Sequence, residues 1–319
     1  MRVGKSSDRS DAAGTLVPMS SPLLLLPDFL LIALGWLICR ATPLDRPVWD
    51  AVERLVYYLL FPVLLFNSIV KSPLHAGEAA NLALAGVGSV VVGIVLALAI
   101  GRWPGVDTRL HASGAQTAFR FNSYIALALS ERLLGAQGLA WMALLIALSV
   151  PLVNVAAVWP LARHGGHSYL RAIARNPLII ATLAGLAANA AGVTFPDAVA
   201  TTLQRIGVAA LPLGLMAVGA GLTFGALKAS PRLAAAFLGI RHAVLPAVAL
   251  GLAVLLALPP AQAGIVVLFA SLPTASSAYV LAARMGGDGS FVAGIVTVST
   301  LLGMISVPLW LAALQALPH

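Results

Sequence analysis

Two short polar stretches interrupt the apolar runs of this sequence: Phe119-Arg-Phe-Asn-Ser-Tyr124 and Ser271-Leu-Pro-Thr-Ala-Ser-Ser277. Each gathers small side chains that exchange hydrogen bonds with a bound solute, namely Asn122 and Ser123 in the first and Thr274, Ser276 and Ser277 in the second. Pro273 lacks a backbone N–H and frees a carbonyl upstream, so it breaks a helix. Inside a membrane a break exposes backbone groups that lipid cannot satisfy, and it must face a cavity or other protein. Arg120 adds a fixed positive charge next to Asn122. An ionisable group deep in a span is a functional candidate, here for an anion; the alternative is that Arg120 snorkels to the interface. For the hydroxyls the alternative is ordinary helix–helix hydrogen bonding. Asn67, a little beyond Pro62, is a further candidate for lining the same path.

Other chemistry is missing from the pattern. Gly4-Lys5-Ser6 has no upstream glycine to make a phosphate-binding loop, so ATP is not expected as the direct energy source. There is no Gly-x-Ser-x-Gly elbow, no His-Glu-x-x-His and no carboxylate dyad, and no enzyme is expected. His164-Gly-Gly-His167 has no third ligand and Cys39 is the only cysteine, so neither a metal, a cofactor nor a disulfide is expected. Asp28, Asp50, Glu53 and Glu131 fall toward the ends of apolar runs. Coupling to Na+ or H+ would therefore rest on backbone carbonyls or on an end-placed acid. Arg241-His242 lies in an apolar run, and the reading places residues 232–241 along the interface, with Arg241 snorkelling.

The elements that carry these residues must live in lipid. Of 319 residues, 60% are apolar and 9% charged, with a mean hydropathy of +0.96. A soluble domain carries about 25% charged residues. The net charge of +8 is scattered singly between apolar runs and makes no basic stripe, so nucleic acid is not a partner. A lipid bilayer is. A span needs about 20 apolar residues. Ten runs qualify: 22–39, 50–70, 79–101, 113–133, 138–160, 177–192, 202–225, 233–257, 261–283 and 289–315. They are too long and too rich in Ala and Leu for barrel strands. Residues 1–21 form a polar tail, and Met19 is a second candidate start.

With ten spans both termini share a face. The opposite face holds 11 Lys and Arg residues against 6 on the terminal face, tail included. The positive-inside bias then puts both termini outside and the 161–176 loop in the cytoplasm of a cell membrane.

The halves 22–160 and 177–315 echo each other. Pro27 and Pro177, Gly35 and Gly185, and Pro62 and Pro212 are each 150 apart; Arg132 and Arg284, and Gly135 and Gly287, are 152 apart. Five spans per half make the second copy inverted. Inverted repeats with paired interruptions are a signature of secondary transporters. At the offset of 152, Asn122 falls on Thr274.

Several stretches, taken in order, resemble the auxin efflux carrier family of membrane transporters. They are Tyr58-Leu-Leu-Phe-Pro-Val-Leu-Leu-Phe66, Phe119-Arg-Phe-Asn-Ser-Tyr-Ile125, Arg175-Asn-Pro-Leu-Ile-Ile180, Pro212 to Gly221, and Ser271-Leu-Pro-Thr-Ala275 running to Arg284-Met-Gly-Gly-Asp288. The resemblance spans residues 22–315. It implies an all-α membrane protein of ten helices in two inverted five-helix repeats, with helices 4 and 9 broken where they cross. It also implies elevator-like alternating access and small organic anions, such as carboxylates, as substrates. The family's crossover asparagine maps to Asn122 and its ninth-helix proline to Pro273. Many relatives carry a proline after that asparagine, where this chain has Ala126 and Ala128. The fourth-helix break is then either milder or built by Asn122 and Ser123 alone.

Three readings stay open at this point: an organic-anion carrier, a sodium- or proton-coupled symporter of bile-acid-like or neutral solutes, and a membrane sensor that binds without transport. The oligomeric state is equally open, a homodimer being one outcome.

Overall fold

The computed structural model describes residues 22–71, 76–162, 177–222 and 230–317. Among them every regular element is helical, and the one β-type pairing is an isolated antiparallel bridge between Phe121 and Thr274. The tail 1–21 and residues 163–176 of the expected cytoplasmic loop with its two histidines lie outside the described residues.

Helix α1 (Pro22–Ala41) is followed by α2 (Arg46–Leu55), which Asp45 and Pro47 start in an extended-then-helical setting. One π turn, Val56–Leu60, joins α2 to α3 (Phe61–Lys71), and Pro62 sits in the first turn of α3 just past it. Next come α4 (Ala76–Ala99) and α5 (Thr108–Gly114), the latter capped by Asp107 through Leu110 N–H at 2.8 Å. A 3-10 turn, Ala115–Ala118, ends at a non-helical stretch, and α6 (Ser123–Ala162) begins beyond it. Helix α6 bends sharply at Leu134 and Gly135, where Gly135 adopts φ +56°. That bend falls between the runs 113–133 and 138–160.

The second part repeats the vocabulary: α7 (Pro177–Ala190), α8 (Asp197–Val208) and α9 (Ala210–Ala220), then α10 (Pro231–Gly239), a π turn Ile240–Val244 and α11 (Leu245–Leu255). Helices α12 (Pro260–Ser271), α13 (Ala278–Arg284) and α14 (Gly289–Gln315) complete the chain. Among the described residues, six helical stretches are long and apolar enough to cross a bilayer: Arg46–Lys71, Ala80–Arg102, Ser123–Leu161, Asp197–Ala220, Pro231–Leu255 and Gly289–Gln315. Ile180–Ala190 and Pro260–Ser271 are shorter apolar helices.

Small residues set the packing. Without water, apolar side chains gain little by leaving lipid, so helices associate through close contact. Helix α1 lies along α9, and α3 lies against α7 and α8. Gly35 of α1 faces the backbone of Met216, and Gly219 of α9 faces the backbone of Ile32; a Cβ at either position would collide with the opposing chain. Gly185 of α7 faces Phe66 and Ile69 of α3 at a looser approach, where a Cβ would stand 3.1 Å from the Ile69 side chain. The 150-residue offset carries α1 onto α7 and α3 onto α9, so it exchanges these two contacts. Leu30, Leu84, Val95, Leu255, Ile305 and Leu309 remain exposed on the outer surface, as a lipid-facing shell requires.

At the centre lies α12, buried along its whole course from Gln262 to Ser271. It packs on α4, α6, α11 and α14. This places its C-terminal end, and the break after it, deep in the protein.

Candidate solute site at the crossing of two broken helices

The two polar stretches come together. Asn122 N–H donates to Pro273 C=O at 2.9 Å, and Ala275 N–H donates to Arg120 C=O at 3.3 Å. These bonds flank the Phe121–Thr274 bridge, so the segments cross antiparallel for the length of one pair. The first break contains no proline. Its backbone is satisfied by the second break instead, which settles the point left open by Ala126 and Ala128: Asn122 makes a full interruption.

Asn122 is buried and works in two directions. Its Oδ1 accepts from Tyr124 N–H at 3.0 Å and Ile125 N–H at 3.2 Å, which caps α6. Its Nδ2 donates to Ser276 Oγ at 2.9 Å, across the crossing. Thr274 is fully buried. Its hydroxyl donates to Thr117 C=O at 2.7 Å, at the end of the first half-helix, and its N–H donates to Ser299 Oγ at 2.9 Å. Pro273 is buried against Gly303 of α14. Ser123 is half-buried at the start of α6, Ser276 is half-buried and Ser277 is exposed.

Arg120 lies half-buried beside them. Its Nη1 donates to Gln116 Oε1 at 2.8 Å and its Nη2 to Ser277 Oγ at 3.2 Å. The guanidinium thus reaches across to the second break. Gln116 in turn donates to Ala278 C=O at 3.2 Å. Asn67 sits on α3 more than a turn past Phe61, whose ring stacks on Tyr124 at 5.0 Å. Among the described residues no hydrogen bond joins Asn67 to the crossing.

A cavity of about 350 Å³ is lined by Arg40, Arg46, Gly221, Leu222, Tyr279 and Ala293, and among these only Tyr279 is near the second break in sequence. Arg46 is paired with Asp50 and Glu53, both at 2.8 Å. Arg40 donates to Leu222 C=O at 3.3 Å and lies over the Trp36 ring.

The interfacial position expected for Arg241 is corrected by the fold. Arg241 is 1% exposed. Its Nε donates to Leu272 C=O, and its Nη2 to Phe269 C=O and Ala270 C=O at 3.2 Å each. The last four carbonyls of a helix have no partner inside it. Phe269 C=O is the carbonyl that Pro273 cannot bond, so the group freed by the proline is taken by this arginine. His242, next in sequence, bridges Ser299 Oγ and Ser306 Oγ at 2.8 Å each. Gln116, Thr117 and Ser299 join the site without having stood out in the sequence, and His242 joins it although the sequence marked it only as the neighbour of Arg241. Their only signal is polarity within apolar runs. No group of three His, Cys, Asp or Glu residues that could hold a metal occurs among the described residues.

The apolar outer surface and the long apolar helices define a multi-pass, all-α membrane protein that lives in a lipid bilayer. Residues 106–311, which include both breaks, match the family described as "Membrane transport protein", and the chain belongs to this family, that of the auxin efflux carriers. The chain is also similar to a Rhizobium meliloti protein named "Putative malonate transporter", with 28% identity over 219 residues, which is 65% of this chain and 68% of that protein. The chain is accordingly a membrane transporter and not an enzyme.

Proposed function

We propose that this protein is a secondary carrier of small organic anions, dicarboxylates of the malonate type foremost. The observation that carries this reading is Arg120 Nη2 meeting Ser277 Oγ at 3.2 Å beside the crossing. A guanidinium offers paired donors that match a carboxylate, and an exposed hydroxyl next to it adds a third. Asn122, Ser123, Ser276 and Ser277 line up with it; Pro273 and Thr274 shape the break, and Asn67 lines the approach. The name of the Rhizobium meliloti relative favours a dicarboxylate substrate.

The motion in this proposal is elevator-like. Ten spans in two inverted repeats sit in the cell membrane with both termini outside. The exchange of the α1–α9 and α3–α7 contacts by the 150-residue offset supports the inverted arrangement. One wall is then α1, α3, α7, α8 and α9, and the crossing with its helices α12 and α13 moves against it.

Counterflow in proteoliposomes tests the function. Vesicles loaded with unlabelled malonate should accumulate labelled malonate, and a neutral analogue such as malonamide should neither enter nor compete. Saturable binding without exchange would instead make the protein a sensor. Exchange of neutral solutes at equal rates would remove the anion reading.

A further inference from the structure

Arg241 poses a problem of charge. It is fully buried, and none of the ion pairs among the described residues gives it a carboxylate. A guanidinium stays charged in any protein environment. Burying it alone is strongly unfavourable. What faces it is the C-terminal end of α12, where Phe269 and Ala270 present carbonyl oxygens and Leu272 adds another beyond the helix. A helix C-terminus carries about half a negative charge, concentrated on such unpaired carbonyls. In transporters with interrupted helices, unwound carbonyls and half-helix C-terminal ends are the groups that coordinate Na+.

We propose that Arg241 is a tethered cation. Its guanidinium permanently occupies the carbonyl seat at the end of α12 that a dissolved coupling Na+ would take, so that this carrier runs without Na+. Three features of the geometry agree. The oxygens number three and converge on one group. They belong to the break that joins the crossing, through Pro273 and Thr274. The arginine comes from a different helix, at the π turn Ile240–Val244, which is where a coupling ion would have to link the crossing to its neighbours. The proposal rests on the transport reading only for its activity arm.

The test uses the full chain and two readouts. In proteoliposomes, malonate counterflow should be the same in Na+, K+ or choline media. Arg241→Ala should lower it about tenfold or more, because three carbonyls lose a charged donor, each a substantial loss in a dry site. Millimolar guanidinium chloride should restore that variant and NaCl at equal ionic strength should not. The second readout is melting of the purified protein in detergent. Arg241→Ala should melt several degrees below the parent, and millimolar guanidinium should raise the variant's midpoint while leaving the parent's unchanged. Should Arg241→Ala fail to fold, Arg241→Lys keeps a tethered charge and should exchange malonate more slowly, still without Na+. A parent that requires Na+, an Arg241→Ala protein with normal rate and melting, or guanidinium acting alike on both proteins would overturn the proposal. If malonate is not carried at all, the substrate reading fails while the melting arm still decides the role of Arg241.

Discussion

Asn122 and Ser276 belong to different broken helices, yet the amide of one donates to the hydroxyl of the other at 2.9 Å. With the same side chain's Oδ1 capping α6, Asn122 holds both breaks through the two ends of one short amide. Asn122→Ala should leave expression and membrane insertion intact and lower counterflow about tenfold or more, since a buried cap and a cross-segment bond are lost together. Normal exchange kinetics in that variant would show that the crossing does not need it.

Arg120→Gln should separate charge from hydrogen bonding. Gln keeps a donor for Ser277 but has no charge, so malonate competition should weaken about tenfold, while any residual binding of malonamide should stay as it was. An equal loss for charged and neutral ligands would assign Arg120 to holding the break. Arg120→Lys should recover only part of the loss, because a point charge cannot match both carboxylate oxygens at once.

The contact of α1 with α9 can be probed through its glycines. Gly219→Ala and Gly35→Ala each drive a methyl into opposing backbone. Each should destabilise the protein by about 1–3 kcal/mol, read as a lower melting midpoint in detergent. Gly251 of α11 has open space where its Cβ would stand. Gly251→Ala should be neutral or stabilising by up to about 1 kcal/mol. Equal behaviour of the three variants would mean that helix approach is not what these glycines provide.

Arg132 and Asp28 form a two-point pair between α6 and α1, with Nη2 to Oδ1 at 3.1 Å. Asp28 is buried and Arg132 is 33% exposed. Asp28→Ala should lower stability by about 1 kcal/mol after allowing for solvent on the arginine. A double-mutant cycle with Arg132→Ala checks this: the two losses should be less than additive, and strict additivity would mean no coupling.

Much of the site is legible in the residues alone. The polar runs around Asn122 and Pro273 mark both breaks, because an apolar helix has little reason to carry such residues unless its ladder is interrupted. The glycine pair Gly35 and Gly185 likewise sits at close approaches. Sequence falls short where burial has to be known. Helices that are apolar all round give no sign of which side faces protein and which faces lipid. Arg241 therefore reads as an interfacial residue, since hydropathy cannot see the carbonyls of Phe269, Ala270 and Leu272 waiting for it. Thr117 and Ser299 escape notice for a related reason: they serve the backbone of distant segments, and nothing local announces that. The absence of a proline after Asn122 leaves the first interruption undecided at the level of sequence, because its donor is satisfied by Pro273 C=O, far away in the chain.

The bridge between Phe121 and Thr274 has a mechanical meaning. Each interruption borrows its missing partners from the other: Thr274 closes the end of the Thr117 turn, and Asn122 N–H fills Pro273 C=O. Neither strand of the pair can slide while its mate stays put without stranding polar atoms in a dry interior. In the elevator motion proposed above, the two interruptions would travel as a single bolted freight car, with the hinges elsewhere, at joints such as the bend of Leu134 and Gly135.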